Sequence, residues 1–327
     1  MRFLARRLGF LLVALWAALT VNFFIPRLMP GNPAESMMAT FRGRINPSAL
    51  PAIEAAFGLN KHQSLISAYF QYLNDTVHLN LGISISYFPT PVATMIMRAL
   101  PWSLGLVGIS TVLGFILGTG LGAIAAWRRG GALDSVLPPT FIVISAFPYF
   151  WVGLLSIWFF ALTLKWLPIL GGYNETATEM WSWSFIGDVL QHAVLPAFTI
   201  LITSIGGWIL TMRNNMITVV AEDYVKMARA KGLKPRRVLW QYAGRNAMLP
   251  NLTGFAMSLG FVISGAILVE YVFNYPGVGF MLLQAVQNED YPLMQALFLL
   301  ITVAVLVAIF VSDIVTAVLD PRTRIRT

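Results

Sequence analysis

The side chains of this chain that could do chemistry are few and do not form an enzyme-like set. Its three histidines, His62, His78 and His192, are far apart and show no H-E-x-x-H or other zinc-ligand spacing. Cysteine is absent, which excludes disulfides, thiolate metal sites and cysteine nucleophiles. No G-x-x-x-x-G-K-[ST] loop occurs to hold ATP phosphates. The sequence therefore predicts no catalytic residue, no metal site and no cofactor bound on this chain.

Two acids lie within or beside strongly apolar segments, where an ionised group is costly and suggests a function. Glu270 suits either a gate or a carboxylate that is hydrogen-bonded to the turn after it. Asp313 lies near the end of the last apolar segment, where a pairing with a nearby basic group is expected.

A polar, basic stretch from Glu222 to Pro250 separates two apolar segments. Ala228–Lys231 followed by Gly232 predicts a short helix with a glycine stop, and Leu249-Pro250 predicts a second helix that returns to the apolar region. A helix of this kind suits docking of a partner, whereas an ordinary loop would use its Lys and Arg only to set topology. Small residues for close approach and larger residues for apolar contact are both present: Ala228, Ala230, Gly232; Tyr224, Met227, Leu233.

These residues are embedded in a chain with the composition of a membrane protein. Hydrophobic residues make up 57% and charged residues 11% of 327 residues, which leaves too little polar surface to cover a soluble globule. The formal charge of +8 comes from basic residues at the ends of apolar runs, without a continuous face bearing stacking aromatics. A lipid bilayer is therefore the expected environment, and nucleic acid is not an expected partner.

Six apolar segments are long enough to cross a hydrocarbon core of about 30 Å. We predict an all-α polytopic membrane protein with these six transmembrane helices: Leu8–Leu28, Trp102–Trp127, Val136–Leu164, Ala193–Met212, Asn251–Phe273 and Leu293–Leu319. The first could instead be a cleaved signal peptide, because Arg2, Arg6 and Arg7 precede it. Its apolar run is longer than the usual signal core, which favours a retained helix.

The distribution of Lys and Arg predicts the orientation. With both termini cytoplasmic, 16 of the 22 basic residues lie inside and the stretch Glu222–Pro250 is cytoplasmic. The segment from Met29 to Leu100 then forms a small extracytoplasmic cap, with helical pieces expected around Pro51–Phe57 and Gln63–Leu73. The predicted organisation is a first transmembrane helix (1–28), the cap (29–100) and a core domain (101–327) with a cytoplasmic loop at 213–250.

Small residues recur every fourth position in two of the predicted spans. They are Gly114, Gly118, Gly122 and Ala126 in the second, and Ala256, Gly260 and Ser264 in the fifth. Such stripes let helices pack closely, and the alternative is that they line a moving gate. Prolines that should kink or start helices are Pro138, Pro139, Pro148 and Pro196.

The polar stretch resembles the EAA loop of ABC importer permeases. Tyr224, the run Ala228–Gly232 and the closing Asn246–Pro250 are similar to the oligopeptide/dipeptide/nickel permease family in particular. The glutamate that names the loop would fall near Lys226, and the nearest acids here lie about one turn earlier. A second stretch, Glu270–Gly279, resembles the family's E-x-x-F-x-x-P-G-x-G pattern. Weaker similarities lie at Pro30–Ala34, Gly58–Asn60, Leu79–Ser84, Pro91-Val92, Arg98–Pro101 and Leu319–Arg322.

The resemblance implies a permease half in a prokaryotic inner membrane. It would pair with a second homologous permease subunit, two nucleotide-binding ATPase subunits that bind ATP and Mg²⁺, and an extracytoplasmic solute-binding protein. The implied residues are those for ATPase coupling, for closure of the loop and for a candidate outer gate, in that order: Glu222, Asp223, Tyr224, Met227, Ala228, Arg229, Ala230, Lys231, Gly232, Leu233; Asn246, Leu249, Pro250; Glu270, Phe273, Pro276, Gly277, Gly279.

Other functions and substrates stay open on the sequence alone. A secondary transporter driven by an ion gradient usually carries internal repeats and buried mid-membrane charges, and neither is clear here. An intramembrane enzyme would need a nucleophile–base pair or a metal site at depth. The family implies peptides as substrate, but its members also carry nickel complexes, glutathione-like compounds and oligosaccharides, with an oligosaccharide as the main alternative. No residue decides between these substrates.

Overall fold

A computed structural model of the chain describes residues 2–28, 64–174 and 182–319. Within those ranges the regular structure is helical, no β-sheet forms, and the isolated bridge found there joins Ile83 to Pro91. The prediction of an all-α protein with several apolar helices is therefore confirmed at the level of fold class.

The helices follow one another along the chain with short connections. In chain order they are α1 (Arg2–Leu28), α2 (Leu65–Val77), α3 (Val92–Ser103), α4 (Ile109–Trp127), α5 (Ala132–Ala146), α6 (Tyr149–Ser156), α7 (Trp183–Val220), α8 (Asp223–Ala230), α9 (Pro235–Arg237), α10 (Arg245–Ala247), α11 (Leu249–Phe261), α12 (Ile267–Val272), α13 (Val278–Gln287) and α14 (Tyr291–Leu319). π-helical segments join α3 to α4, follow α6 and join α9 to α10: Leu104–Gly108, Ile157–Thr163 and Val238–Gly244.

Four helical stretches within the described residues are long and apolar enough to cross a membrane. They are Arg6–Ile25, Val92–Trp127, Trp183–Val220 and Tyr291–Val315. They coincide with the first, second, fourth and sixth predicted spans. The second begins at Val92 rather than Trp102, because α3 continues through the π-helical turns into α4 without a break. The predicted boundary between cap and core at residue 100 therefore falls inside one continuous helical stretch.

The third and fifth predicted spans are each broken. α5 and α6 meet at a bend of 94° beside Phe147-Pro148, where proline cannot continue the preceding helix. The fifth, Asn251–Phe273, consists of α11 and α12 with a turn between them, in which Gly265 has a φ of +69°. In the described residues, four helices can span a membrane, or five if the bent pair counts as one. Six spans therefore stay a prediction.

Contacts divide the described residues into two units. The first comprises those in Met1–Ser103, Ile263–Ile267 and Pro276–Val307. Its apolar core is formed by residues of α3, α13 and the first turns of α14, and includes the fully buried Val92 and Leu297. This core therefore surrounds α3, which is the first part of the long helical stretch Val92–Trp127.

Two further helices belong to the first unit. α1 is joined to α14 by a reciprocal amide contact, in which Asn22 Nδ2 donates to the Gln295 backbone oxygen at 2.9 Å and Gln295 Nε2 donates to the Asn22 oxygen at 3.0 Å. α2 confirms the helix predicted around Gln63–Leu73, although it begins and ends a little later. The helix predicted at Pro51–Phe57 lies outside the described residues.

The second unit comprises the described residues of Leu104–Val262, Leu268–Tyr275 and Ala308–Thr327, and its main contact joins α4 to α7. A Cβ atom added to Gly118 would lie 2.9 Å from the Ile205 backbone oxygen, and one on Gly122 would lie 3.0 Å from Met212 Cβ. Only glycine allows this close approach. The packing role predicted for the small residues of the second span is therefore confirmed at these two positions.

Candidate functional site

The short helix α8 ends as the sequence predicts. Gly232 has a φ of +70°, its N–H donates to the Arg229 oxygen at 2.9 Å, and the Leu233 N–H donates to the Ala228 oxygen at 3.4 Å. These two bonds are those of a Schellman motif, which places a left-handed residue directly after the helix. Glycine takes that conformation without a steric cost, so it is the residue that stops α8.

One face of α8 is buried against its own unit. Val225 and Ala228 are 0% and 2% exposed, and their spacing of three residues puts them on the same side of the helix. Full burial of a valine side chain stabilises by about 1.5 kcal/mol or more. Val225 and Ala228 form one cluster with the buried residues around them, which we call the loop cluster: Ala123, Ala126, Met212, Met216, Val225, Ala228, Val238, Leu239, Ala243 and Ala247.

Two exposed contacts hold α8 at its ends. Asn246 Nδ2 donates to the Tyr224 hydroxyl at 2.7 Å, which links the first turn of α8 to α10. The Arg229 guanidinium carbon lies 4.6 Å from the centroid of the Trp127 ring, which links the last turn to the end of α4. Contacts of this kind at exposed positions contribute about 1 kcal/mol or less each. Apolar burial is therefore the main force that positions the helix.

The opposite face of α8 is exposed. Met227 is 58% exposed, and Lys226 Nζ pairs with Asp223 Oδ1 at 2.9 Å on the surface. Eight of the ten predicted coupling residues are exposed: Glu222, Asp223, Tyr224, Met227, Arg229, Ala230, Lys231 and Gly232. Ala228 is buried and Leu233 is half-buried, and both pack in or against the loop cluster. These two residues position α8 and do not belong to its outer face.

The predicted return helix is α11. Leu249 and Pro250 are its first two residues, where the missing N–H of proline breaks no helical hydrogen bond. Asn246, the third predicted closure residue, lies in α10 and contacts Tyr224 as described above. The structure therefore brings Asn246 into direct contact with α8.

The predicted outer-gate residues are divided between the two units. Glu270 and Phe273 belong to the second unit, and Glu270 is 0% exposed. Its backbone oxygen accepts the N–H of Tyr275 at 2.8 Å. Burial, and to a lesser degree the Glu270 carboxylate, raises the pKa of Tyr275 to about 12, so its phenol stays protonated at neutral pH. The Phe273 backbone oxygen accepts the N–H of Gly171 at 2.8 Å.

The remaining gate residues, Pro276, Gly277 and Gly279, belong to the first unit. Gly277 precedes α13, and Gly279 is buried in its first turn. The N–H of Val278 donates to the buried Ser103 Oγ at 2.8 Å. A gating role for all five residues stays a prediction. The other acid that the sequence singled out, Asp313, lies within α14.

An ion pair that sequence reasoning missed lies in the same unit as α8. Arg213 Nε on α7 donates to Asp134 Oδ1 in the first turn of α5, and Asp134 Oδ2 accepts the N–H of Gly130 at 3.0 Å. The Asp134 side chain is 7% exposed and that of Arg213 is 23% exposed. Asp134 was identifiable only as an acid in the first turn of an apolar helix, and that signal names no partner.

Two further buried polar groups were also missed. Asn251 on α11 is 1% exposed, and its Nδ2 donates to Thr119 Oγ1 at 2.9 Å and to the Trp208 backbone oxygen at 3.2 Å. Asp290, which is fully buried in the first unit, accepts the hydroxyl of Ser84 and the N–H of Ser86. An aspartate directly before an apolar helix with proline near its start is a helix N-cap signal, which could have found Asp290.

The histidines form no shared site in the part of the chain that the structure describes. His78 Nδ1 lies 2.8 Å from the Asn74 oxygen, and His192 Nδ1 lies 3.4 Å from Asp188 Oδ1. His62 lies outside the described residues. Among the described residues, no group of three or more His, Asp or Glu side chains could hold a metal ion.

Comparison with known proteins identifies the family. A family model described as binding-protein-dependent transport system inner membrane component matches residues 118–325. The chain is 33% identical to the oligopeptide transport system permease protein AppB of Bacillus subtilis over 92% of each chain. It is 32% identical to the di/tripeptide transport system permease protein DppB of Pseudomonas aeruginosa over 98% of each chain. It is 31% identical to the dipeptide transport system permease protein DppB of Lactococcus lactis over 99% of each chain.

The chain belongs to the family of binding-protein-dependent transport system inner membrane components. It is accordingly a multi-pass membrane protein and a permease subunit of such a transport system. The resemblance noted in its loop is therefore confirmed. This membership disfavours the ion-gradient-driven transporter and the intramembrane enzyme, which the sequence alone had left open.

Proposed function

We propose that this chain is one of two permease subunits in an ATP-driven ABC importer and forms half of its translocation pathway. Its partners would be a second homologous permease, two nucleotide-binding ATPase subunits and an extracytoplasmic solute-binding protein. The family match over residues 118–325 supports this assignment. ATP and Mg²⁺ would bind to the ATPase subunits, because this chain has no phosphate-binding loop.

The proposed topology has six spans and both termini in the cytoplasm of a prokaryotic cell. The bent pair α5–α6 and the interrupted pair α11–α12 would each make one crossing. The positive-inside rule supports this orientation, because it puts 16 of the 22 Lys and Arg residues on the cytoplasmic side. The segment 29–100 would then be extracytoplasmic, where a solute-binding protein could reach it.

A single observation carries the proposal. The inner face of α8 is buried in the loop cluster, while its outer face exposes Met227 and the side chains of Asp223 and Lys226. A helix that is fixed on one side and bare on the other can receive a partner's surface and pass a displacement to the helices beneath it. We propose that this outer face rests in a groove of an ATPase subunit.

The transport cycle would follow from closure of the two ATPase subunits on ATP. α8 would move with them as a rigid piece, and the permease would shift from an inward-open to an outward-open state. ATP can shift this equilibrium only as far as the assembly binds it differently in the two states. Hydrolysis would remove that difference and let the permease return.

Peptides are the proposed substrate. Relatives aligned over 92% or more of both chains are described as oligopeptide, di/tripeptide and dipeptide permeases, and this supports the choice. A thermal-shift screen on the cognate binding protein tests it, because the bound ligand raises the unfolding temperature of its receptor. Stabilisation by short peptides is expected. Stabilisation by an oligosaccharide or a nickel complex alone would replace peptides with that substrate.

The docking role of α8 is tested by two variants of one residue. Gly232→Trp and Gly232→Ala both put a Cβ on a left-handed residue, with a similar cost of about 1–2 kcal/mol. Apart from the two chain neighbours of Gly232, no heavy atom of the described residues lies within 4 Å of a Cβ built there, so neither variant clashes with them at that atom. They differ in the bulk they present to a partner. We expect Gly232→Trp to lower ATP-driven uptake by about tenfold or more, with Gly232→Ala close to wild type.

Uptake is measured in whole cells, together with the amount of each variant in the membrane. Wild-type uptake by Gly232→Trp at wild-type protein level would refute the docking assignment. Equal losses in both variants would attribute the effect to backbone strain at the end of α8, and would also contradict it.

A further inference from the structure

The carboxylate of Asp134 ties three parts of the second unit together. One oxygen accepts from Arg213 on α7, and the other accepts the N–H of Gly130 at 3.0 Å in the turn between α4 and α5. Gly130 has a φ of +80°, which lets the turn fold back onto the first turn of α5. The start of α5 is therefore fixed to α7 by a charged, directional contact.

Arg213 lies beside the residues of α7 that hold α8. Met212 and Met216 are 1% and 0% exposed and belong to the loop cluster together with Val225 and Ala228. Close-packed side chains pass on a shift because they leave no gap to absorb it. A displacement of α8 therefore acts on the segment of α7 that carries Arg213.

At its end away from Asp134, α5 meets α6, which lies close to Phe273. α5 and α6 meet at 94°, and a Cβ atom added to Gly153 in α6 would lie 3.1 Å from the Phe273 ring. The same added Cβ atom would lie 3.6 Å from the Thr199 side chain of α7. A continuous series of contacts within one unit thus runs from α8 through Arg213, Asp134 and α6 to Phe273.

The ion pair differs from the other contacts in this series. Apolar side chains can slide past one another at small cost, whereas a hydrogen-bonded ion pair with little exposure resists separation, because each charge would be left desolvated and unpaired. The pair thus fixes the distance between α5 and α7 at the end of the unit that carries α8.

We propose that Asp134 and Arg213 are positioning residues that transmit the displacement of α8 to the bent pair α5–α6 and so to Phe273. The proposal rests on the proposed function, because it needs a partner that moves α8. A purely structural ion pair would affect the amount of folded protein and leave transport per ATP unchanged.

The test uses the complete transporter reconstituted in proteoliposomes with its ATPase subunits and binding protein. Asp134→Asn and Arg213→Gln each remove one charge, and Asp134→Glu keeps the charge but lengthens the side chain by one methylene. Asp188→Asn is the control, because Asp188, toward the other end of α7, likewise lies near a basic side chain, His192, and accepts a backbone N–H. Two quantities are measured for each variant, the rate of ATP hydrolysis and the amount of solute imported per ATP.

We expect the charge-removing variants to hydrolyse ATP but to import about fivefold less solute per ATP or lower. The double variant should do no worse than the single ones, because both remove the same contact. Asp134→Glu should fold and still lower import per ATP, whereas Asp188→Asn should match the wild type. Wild-type import per ATP in Asp134→Glu, or additive losses in the double variant, would overturn the proposal.

A probe on α6 reports the transmission directly. Trp151 is 54% exposed, and Trp151→Cys would introduce the chain's single cysteine, so an environment-sensitive fluorophore can be attached to this chain at that position. ATP should change its fluorescence in the wild-type background and not in Asp134→Asn. An unchanged ATP response in Asp134→Asn would overturn the proposal. Absence of ATP-driven uptake in the wild type would instead contradict the proposed function, so the two failures are distinguishable.

Discussion

The loop that carries α8 and the Ser84 loop, which consists of residues 78–91 between α2 and α3, are both attached to longer helices, but by different forces. α8 is held by apolar burial of Val225 and Ala228 and by two exposed polar contacts. The Ser84 loop is held by Asp290, which is fully buried and accepts both the Ser84 hydroxyl and the Ser86 N–H, the latter at 3.0 Å.

The difference bears on which loop can move. Breaking a buried, charge-assisted hydrogen bond leaves a desolvated polar group without a partner, which is costly. Apolar packing has no comparable directional requirement. The attachment of α8 therefore suits a part that shifts under load, and the attachment of the Ser84 loop suits a part that stays fixed.

The largest expected effect comes from disrupting the close contact between α4 and α7 beside the loop cluster. Gly122→Leu would push a side chain into the Ile209 backbone and Met212. Gly120→Leu is on the same helix, and beyond that helix's own nearby backbone no atom of the described residues lies within 4 Å of its Cβ. We expect Gly122→Leu to destabilise by about 3 kcal/mol or to prevent folding, because overpacking there separates α4 from α7. Unfolding temperatures in detergent and membrane protein levels check this. A Gly120→Leu variant as unstable as Gly122→Leu would contradict it.

Removing the buried carboxylate of the other loop should have the next largest effect. Asp290→Ala removes the acceptor of the buried Ser84 hydroxyl and of the half-buried Ser86 N–H, so we expect a loss of about 3 kcal/mol in unfolding free energy. Ser84→Ala should lose less, about 1–2 kcal/mol, because the buried Asp290 carboxylate loses one donor but keeps the N–H of Ser86. Ser86→Ala keeps the backbone N–H that contacts Asp290 and should be neutral. Equal stability of the Asp290→Ala variant and the wild type would remove the contrast between the two loops.

The smallest effects sharpen the comparison. Tyr224 and Tyr87 each carry an exposed hydroxyl bond, from Asn246 at 2.7 Å and to Gln284 at 2.9 Å. Tyr224→Phe and Tyr87→Phe should each change stability by about 0.5–1 kcal/mol or less. Only Tyr224→Phe should lower solute uptake per ATP, because it loosens α8. A comparable loss of uptake per ATP in Tyr87→Phe would indicate that the Ser84 loop also moves.

Local signals predicted the elements that depend on neighbouring residues. The glycine stop at Gly232 and the return helix at Leu249-Pro250 follow from backbone preferences over a few residues. The long apolar helices follow from composition alone. The break at Phe147-Pro148 was expected as a kink, but its angle of 94° depends on how α5 and α6 pack against α7, which the sequence does not encode locally.

Contacts between distant residues could not be predicted from one sequence. Asp134 and Arg213 are 79 residues apart, and Ser84 and Asp290 are 206 apart. Nothing in the residue types selects these partners among the other acids and hydroxyls. The same limit applies to Ala228. Its neighbours in the sequence suggested a small residue on the exposed face, and only the packing of α8 shows that Ala228 is buried in the loop cluster.

The proposal that the exposed face of α8 docks on an ATPase subunit is tested most directly by photo-cross-linking in intact cells. A benzophenone amino acid replaces Met227, which is 58% exposed on α8, or Trp183, which is 89% exposed at the far end of the 38-residue helix α7. At about 1.5 Å per residue that helix separates the two ends by more than the thickness of a membrane core. We expect an adduct with a nucleotide-binding ATPase subunit from position 227 and none from 183. No adduct from 227, or an equal adduct from 183, would contradict the account.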